Sequence, residues 1–278
     1  MSDAAVVVVL GASTEAGRNF LVRTSDRAVR VIAVSRHDPQ RLDPHVTWLR
    51  HDLECGPADV RAGTLVSLGP LAHALSQVEE SSGLGRVIAL SSASTRFKKG
   101  SSDRAERRRM LALEECEAAL AAACRERSIV LTLLKPTMIY GGADANVSRM
   151  AGLLARLPVV PVAGHGLRAP VHADDLAKLI VHCVISGSDS AGSWFLAGGE
   201  TLSYPDLLRR IAAADGRRIR LLRLPAWLLK FVLRGIRLFG RLPDIQPVMI
   251  ERQGMDLVVD DTPARERLAW NPRPFRPG

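Results

Sequence analysis

The chain is short of the residues that most often advertise chemistry or cross-linking. Its 278 residues include two tyrosines, Tyr140 and Tyr204, and aromatics make up 4% of the whole. The four cysteines, Cys55, Cys116, Cys124 and Cys183, form no CxxC pair and no zinc spacing. A disulfide framework and a structural metal are therefore excluded, and a reduced protein is expected. No apolar run approaches the roughly 18 residues of a membrane span. The stretch Ala4 to Leu10 is too short, and wrongly flanked, for a secretory signal. The expected location is cytoplasmic. Lysine is scarce too, with five among 38 cationic residues.

What is present supports a folded chain. With 47% hydrophobic and 24% charged residues, it can bury a substantial core. The formal charge of +9 is unevenly placed. Residues 201–278 hold 15 Lys and Arg against 8 Asp and Glu. That excess can attract an anionic substrate or surface.

Val6 to Leu10 is a continuous β-branched run, the pattern of a strand buried on both faces of a parallel sheet. Further strands are predicted over 29–34, 46–49, 64–68, 87–90 and 129–134. Helices are predicted over 16–24, 71–80 and 105–127, the last with Met110, Leu113, Cys116, Leu120 and Cys124 as its buried stripe. Strands alternating with helices imply right-handed βαβ units and an α/β fold with a doubly wound parallel sheet. Residues 1–140 read as the dinucleotide-binding domain, with 171–200 returning to it. Residues 141–170 and 201–278 read as a smaller interleaved lobe, containing a helix from Ser203, a strand over 219–224 and a helix over 227–239.

Gly11-Ala12-Ser13-Thr14-Glu15-Ala16-Gly17 follows the first strand and opens a helix. Backbone N–H groups at such a helix start can cradle a pyrophosphate. Gly11, Ser13, Thr14 and Gly17 are the candidate contacts. Glu15 adds a charge of the wrong sign, which Arg18 offsets. The second strand ends in Ser35-Arg36, a neutral residue and a cation where an acid would grip a ribose 2′-hydroxyl. That pair suits a 2′-phosphate, so NADP(H) is expected over NAD(H). Asp52-Leu53, after the third strand, is the candidate pair beside the adenine.

Four segments bring a family resemblance. The glycine turn resembles the GxxGxxG of short-chain dehydrogenase-type Rossmann folds, with Thr14 at the middle glycine. Lys135-Pro136-Thr137-Met138-Ile139-Tyr140-Gly141 resembles the RPTxxYG segment of the NAD-dependent epimerase/dehydratase family, the extended and atypical short-chain dehydrogenases. Arg168 to Ala177 is similar to that family's R-D-[FY]-[IV]-H-V-x-D-L-A, and Leu268-Ala269-Trp270-Asn271-Pro272 to its closing LGWxP. The resemblance implies a Rossmann fold, a nicotinamide cofactor that Pro136 helps to hold, and a nucleotide-linked sugar as substrate.

The resemblance also implies a serine and a Tyr-x-x-x-Lys pair that move a proton while hydride passes to or from the ring. Ser91-Ser92-Ala93-Ser94 matches the serine element, with Ser92 at the catalytic position. With Glu117 matched to the family's glutamate, Arg109 and Leu113 stand at the tyrosine and lysine positions. Neither can do that work, because arginine does not usefully deprotonate and leucine carries no charge. Two readings follow. Another group, Lys98, Lys99 or Glu106, supplies the proton. Alternatively the protein is a catalytically inactive cofactor-binding scaffold or sensor, as some atypical members are, including a respiratory complex I accessory subunit.

On the substrate side the resemblance implies that Arg168 grips a pyrophosphate, for which its planar fork is suited. Arg252 resembles a second family arginine, with one residue of extra spacing, and His172 reads as structural. Lys230, Arg234, Arg237 and Arg241 share one stripe of a helix that also carries Trp227, Phe231 and Val232, with Phe239 and Leu242 beyond. Such a helix is either an outer element of the small lobe or a weak peripheral anchor on the inner face of an anionic membrane. Nucleic acid is not an expected partner, since no recognition motif accompanies the charge. The sequence sets no oligomeric state.

Overall fold

A computed structural model describes residues 5–27, 29–37, 44–142, 146–157, 159–231 and 247–277. Its centre is a seven-stranded sheet made of β1 (Ala5–Leu10), β2 (Val29–Ser35), β3 (Val46–Arg50), β4 (Thr64–Ser67), β5 (Arg86–Leu90), β6 (Val130–Pro136) and β11 (Gly192–Leu196). The spatial order is β11-β6-β5-β4-β1-β2-β3, and every pairing is parallel. This is the doubly wound Rossmann-type sheet that the alternating pattern predicts. The order reverses between β1 and β4, which opens a crevice at their carboxyl ends.

The Val-rich first strand is buried on both sides because helices cover both faces. Val7 and Val9 join one core cluster, beneath α1 (Glu15–Thr24) and α6 (Ala173–Ile185). Val8 and Leu10 join the other, beneath α2 (Leu71–Glu80) and α4 (Arg104–Glu126). Each such side chain contributes about 1.5–3 kcal/mol by leaving water. A charged substitution at any of them would leave an unpaired ion between sheet and helices.

A third cluster lies off the sheet. Tyr140, Val147, Leu154, Val160, Val162, Leu207, Ile211 and Phe275 pack together. They come from β7 (Ile139–Tyr140), α5 (Val147–Leu154), β8 (Val159–Val162) and α7 (Tyr204–Ala214), and from the C-terminal segment. Around them run short pairs: β9 (Leu167–Arg168) with β12 (Leu202–Ser203), β10 (Val171–His172) with β7, and β13 (Arg220–Arg223) with β8. Three further helices are α3 (Ser94–Lys98), α8 (Pro247–Arg252) and α9 (Thr262–Leu268). None of α3, α5, α8 or α9 is marked by a clear apolar period in the sequence. They are short, and contacts from elsewhere hold them.

One expectation needs correction, and another can be followed only as far as the described residues reach. The buried stripe of α4 runs through Glu106 and Glu117 as well as Leu120 and Cys124, while Met110, Leu113 and Cys116 are half-buried. Acids can occupy that line because each meets a cation from a distant segment. Of the helix expected over 227–239, residues 226–231 are helical, and Val232, Arg234, Arg237, Phe239, Arg241 and Leu242 lie outside the described residues.

Candidate functional site

In a parallel sheet all carboxyl ends share one edge, and the candidate residues gather there. Gly11 follows β1, Arg36 follows β2, Asp52 and Leu53 follow β3, Ser91 and Ser92 follow β5, and Pro136 ends β6. The β1–α1 turn is closely fitted. Gly11 has φ +76°, and a Cβ there would stand 2.9 Å from the Gly69 nitrogen. At Gly17 a Cβ would meet the carbonyl oxygens of Gly11 at 2.5 Å and Ala12 at 2.7 Å. Both glycines are therefore demanded by close backbone approach.

Thr14, in place of the middle glycine, folds into the turn. Its hydroxyl donates to the Gly11 carbonyl (2.8 Å) and accepts from the Gly17 N–H (3.1 Å), capping α1. Ser13 is exposed, and its carbonyl accepts from Arg18 at 2.7 Å. Glu15 is ion-paired with Arg18, so the acid at the helix start is partly neutralised. The backbone cradle fits a dinucleotide pyrophosphate, because the one added side chain turns inward and the added charge has a counter-ion. Arg36 is exposed beside Ser35. Asp52 accepts from the Glu54 N–H (3.1 Å) and caps a short turn at Leu53–Cys55.

At the end of β5 the two serines have different tasks. Ser92 accepts the Ser94 N–H at 3.1 Å, and its own hydroxyl proton has no acceptor among the described residues. Ser91 donates to Glu117, and Lys135 Nζ donates to the other oxygen of the same carboxylate at 2.6 Å. Glu117 is 8% exposed. The Lys135 ammonium also stands 5.6 Å from the centre of the Phe195 ring. This Ser91–Glu117–Lys135 network ties β5, α4 and β6 together beside Ser92. Lys135 is the member that sequence reasoning missed as a partner. Its one signal is a lone lysine closing an apolar strand.

A second charged cluster lies where α3 and α4 meet α8. Glu106, 5% exposed, pairs with Arg252, accepts from Ser101 Oγ at 2.6 Å and lies 3.7 Å from Lys98 Nζ. Burial pushes the Lys98 ammonium down, and the Arg252 charge adds to that. Burial would push the Glu106 carboxyl up, but the Ser101 hydrogen bond and the two cations hold it below its ordinary value. Lys98 and Arg252 thus line one small cavity of about 50 Å³, with Phe97, Met255 and Leu257.

Arg168 has partners other than the pyrophosphate that the resemblance implies. It is 7% exposed, and its guanidinium donates to the carbonyls of Leu167 (2.8 Å), Met255 (2.7 Å) and Arg252 (2.6 Å). Its flat face lies over Tyr204, at 5.4 Å. The arginine therefore holds the 252–255 turn. His172 accepts the Asp174 N–H at 3.1 Å, so it is the cap of α6, and it packs edge-on against Tyr140. Tyr140 belongs to the third core cluster and Tyr204 packs against it, and burial raises both phenols. On α4, Arg109 is exposed and Leu113 half-buried. Among the described residues, no group of three or more His, Cys, Asp or Glu could hold a metal ion.

Comparison with known proteins places this arrangement. No protein-family model matches the chain. A UDP-glucose 4-epimerase of Vibrio cholerae is 26% identical over 165 residues, which cover 58% of this chain and 48% of that relative, about half its length. Among solved structures, a UDP-glucuronic acid 4-epimerase from Bacillus cereus in complex with NAD superposes with TM-score 0.70 at 12% identity, over 97% of this chain and 92% of that one. A UDP-glucose 4-epimerase from Thermotoga maritima with UDP-glucose gives 0.67 at 16% identity, over 96% and 94%. Sheet order, glycine turn and lobe give the chain the Rossmann-type α/β fold that these solved epimerase structures share. No helix among the described residues is long and apolar enough to cross a membrane.

Proposed function

We propose that the protein binds a nicotinamide dinucleotide along the carboxyl edge of its sheet and acts on a nucleotide-linked sugar by redox or epimerase chemistry with a non-standard active site. The observation that carries this reading is the β1–α1 turn at the switch point, where Gly11 and Gly17 are both required by backbone contacts of 3 Å or less. Gly11, Ser13, Thr14 and Gly17 hold the pyrophosphate, Asp52 and Leu53 flank the adenine, and Pro136 supports the nicotinamide end. Arg36 takes a ribose 2′-phosphate, which favours NADP(H), although the neighbour from Bacillus cereus is described with NAD. The bound nicotinamide supplies or accepts the hydride.

In this reading Ser92 donates its hydroxyl proton to the sugar oxygen that changes charge, as an oxyanion donor does. The Ser91–Glu117–Lys135 network keeps Ser92 in place. Lys98, the cation with a lowered pKa near that edge, is the group that moves the proton. The smaller lobe binds the substrate, with Arg168 positioning Arg252 through its carbonyl. Titration calorimetry with NADPH and NADH tests the cofactor half. Binding of NADPH, weakened in Arg36→Ala, is expected; no binding of either at millimolar concentration refutes it.

One observation favours a second reading, that of a cofactor-binding scaffold. Of the two tyrosines, Tyr140 sits in the core of the smaller lobe and Tyr204 packs against it, and burial raises both phenols. A panel of nucleotide sugars separates the two. Turnover that falls roughly 10²–10³-fold in Ser92→Ala supports catalysis, whereas bound cofactor with no turnover on any sugar supports the scaffold.

A further inference from the structure

We infer that the face carrying Trp227 and Phe231 docks the protein onto an anionic phospholipid bilayer. The two side chains lie one helical turn apart, and each is 70% exposed. The opposite side of the same turn is anchored, since Leu229 is buried against Ile250. The helix therefore has an inner side fixed to the lobe and an outer side that presents two large aromatics to solvent. Leu222, 50% exposed on the neighbouring β13, adds aliphatic surface. Outward-facing aromatics in such numbers are costly in water and are suited to the headgroup boundary.

Charge names the partner. Between Asp215 and Phe231 the chain carries five arginines and lysines and no carboxylate. Of these, Arg218, Arg220 and Arg223 are exposed and engage no partner among the described residues. Lysine or arginine near an anionic leaflet contributes about 1 kcal/mol each. A second copy of the chain is a poor occupant, because a two-fold contact would bring these like charges close to one another. A nucleic acid would use the cations, but it gains nothing from the exposed leucine.

The assay is co-sedimentation of the whole protein with vesicles of phosphatidylglycerol and phosphatidylcholine, and with phosphatidylcholine alone. Tryptophan emission is followed in parallel. Trp194 and Trp270 are buried and Trp48 is half-buried, so a shift on binding reports Trp227. Binding to the anionic vesicles at low salt with a blue shift is expected. It should fall on the order of tenfold at high salt and again on the order of tenfold in Trp227→Ala/Phe231→Ala. Both changes are on exposed side chains, and far-ultraviolet circular dichroism checks that the variant is folded. Arg220→Glu/Arg223→Glu should weaken binding without touching the aromatics. Absence of binding at low salt, or equal binding of the aromatic variant, overturns the inference. So does a blue shift that grows with protein concentration without lipid, or binding to a single-stranded oligonucleotide with none to vesicles.

Discussion

Replacing Asp174 by Asn tests how the C-terminal segment is fastened to the sheet domain. Arg23 on α1 grips the carboxylate with Nε and Nη2, both at 2.7 Å, and Arg273 adds a bond of 2.6 Å from the far end of the chain. Arg273 also chelates Asp175, at 2.7–3.0 Å. The Arg23 hydrogen bonds, outweighing burial, bring the Asp174 carboxyl from 3.8 down to about 2. The folded value lies below the unfolded one, so this pair stabilises the protein above pH 4 and the effect is lost as pH falls toward 2. A shift of that size corresponds to ~2 kcal/mol at neutral pH. Both arginines are a third or more exposed, and solvent screening brings the expectation to about 1–2 kcal/mol.

Asp174→Asn keeps the shape and removes the charge. Urea unfolding at pH 7 should show a loss of about 1–2 kcal/mol, and thermal unfolding a drop of roughly 2–8 °C for a chain of this length. The gap from the native protein should narrow below pH 4, with about half of it gone near pH 3. A gap that stays constant between pH 7 and pH 3, or no gap at pH 7, would refute the assignment of this stability to the Asp174 charge.

Two other substitutions bear on the site. Gly17→Ala puts a methyl against two backbone carbonyls; a stability loss of about 1–3 kcal/mol with weakened dinucleotide binding is expected, and calorimetry showing native affinity would contradict the fitted turn. Lys135→Met leaves the buried Glu117 without its cation and should cost about 3–5 kcal/mol, most of it recovered in Glu117→Gln/Lys135→Met; urea unfolding of the three variants decides.

Local chemistry determined much of the fold on its own. The helix expected over 71–80 forms over those residues, and the strand β1 and the helix after it start and stop within a residue of expectation. Valine runs, turn glycines and a 3.6-residue period act between near neighbours, so they are legible in one dimension. The carboxyl-edge positions of Gly11, Arg36, Asp52 and Ser92 follow once the strands are known to be parallel, because connectivity alone sets that edge. The partners of charges did not follow. Glu106 and Glu117 sit on the buried line of α4 because Arg252 and Lys135, 146 and 18 residues away, reach them. Arg168 is taken up by the carbonyls of a turn more than 80 residues further on. A buried ion is tolerable only where the folded chain delivers its counter-ion or its hydrogen-bond acceptors. That delivery depends on how sheet, helices and lobe close on one another, and only the tertiary structure decided it.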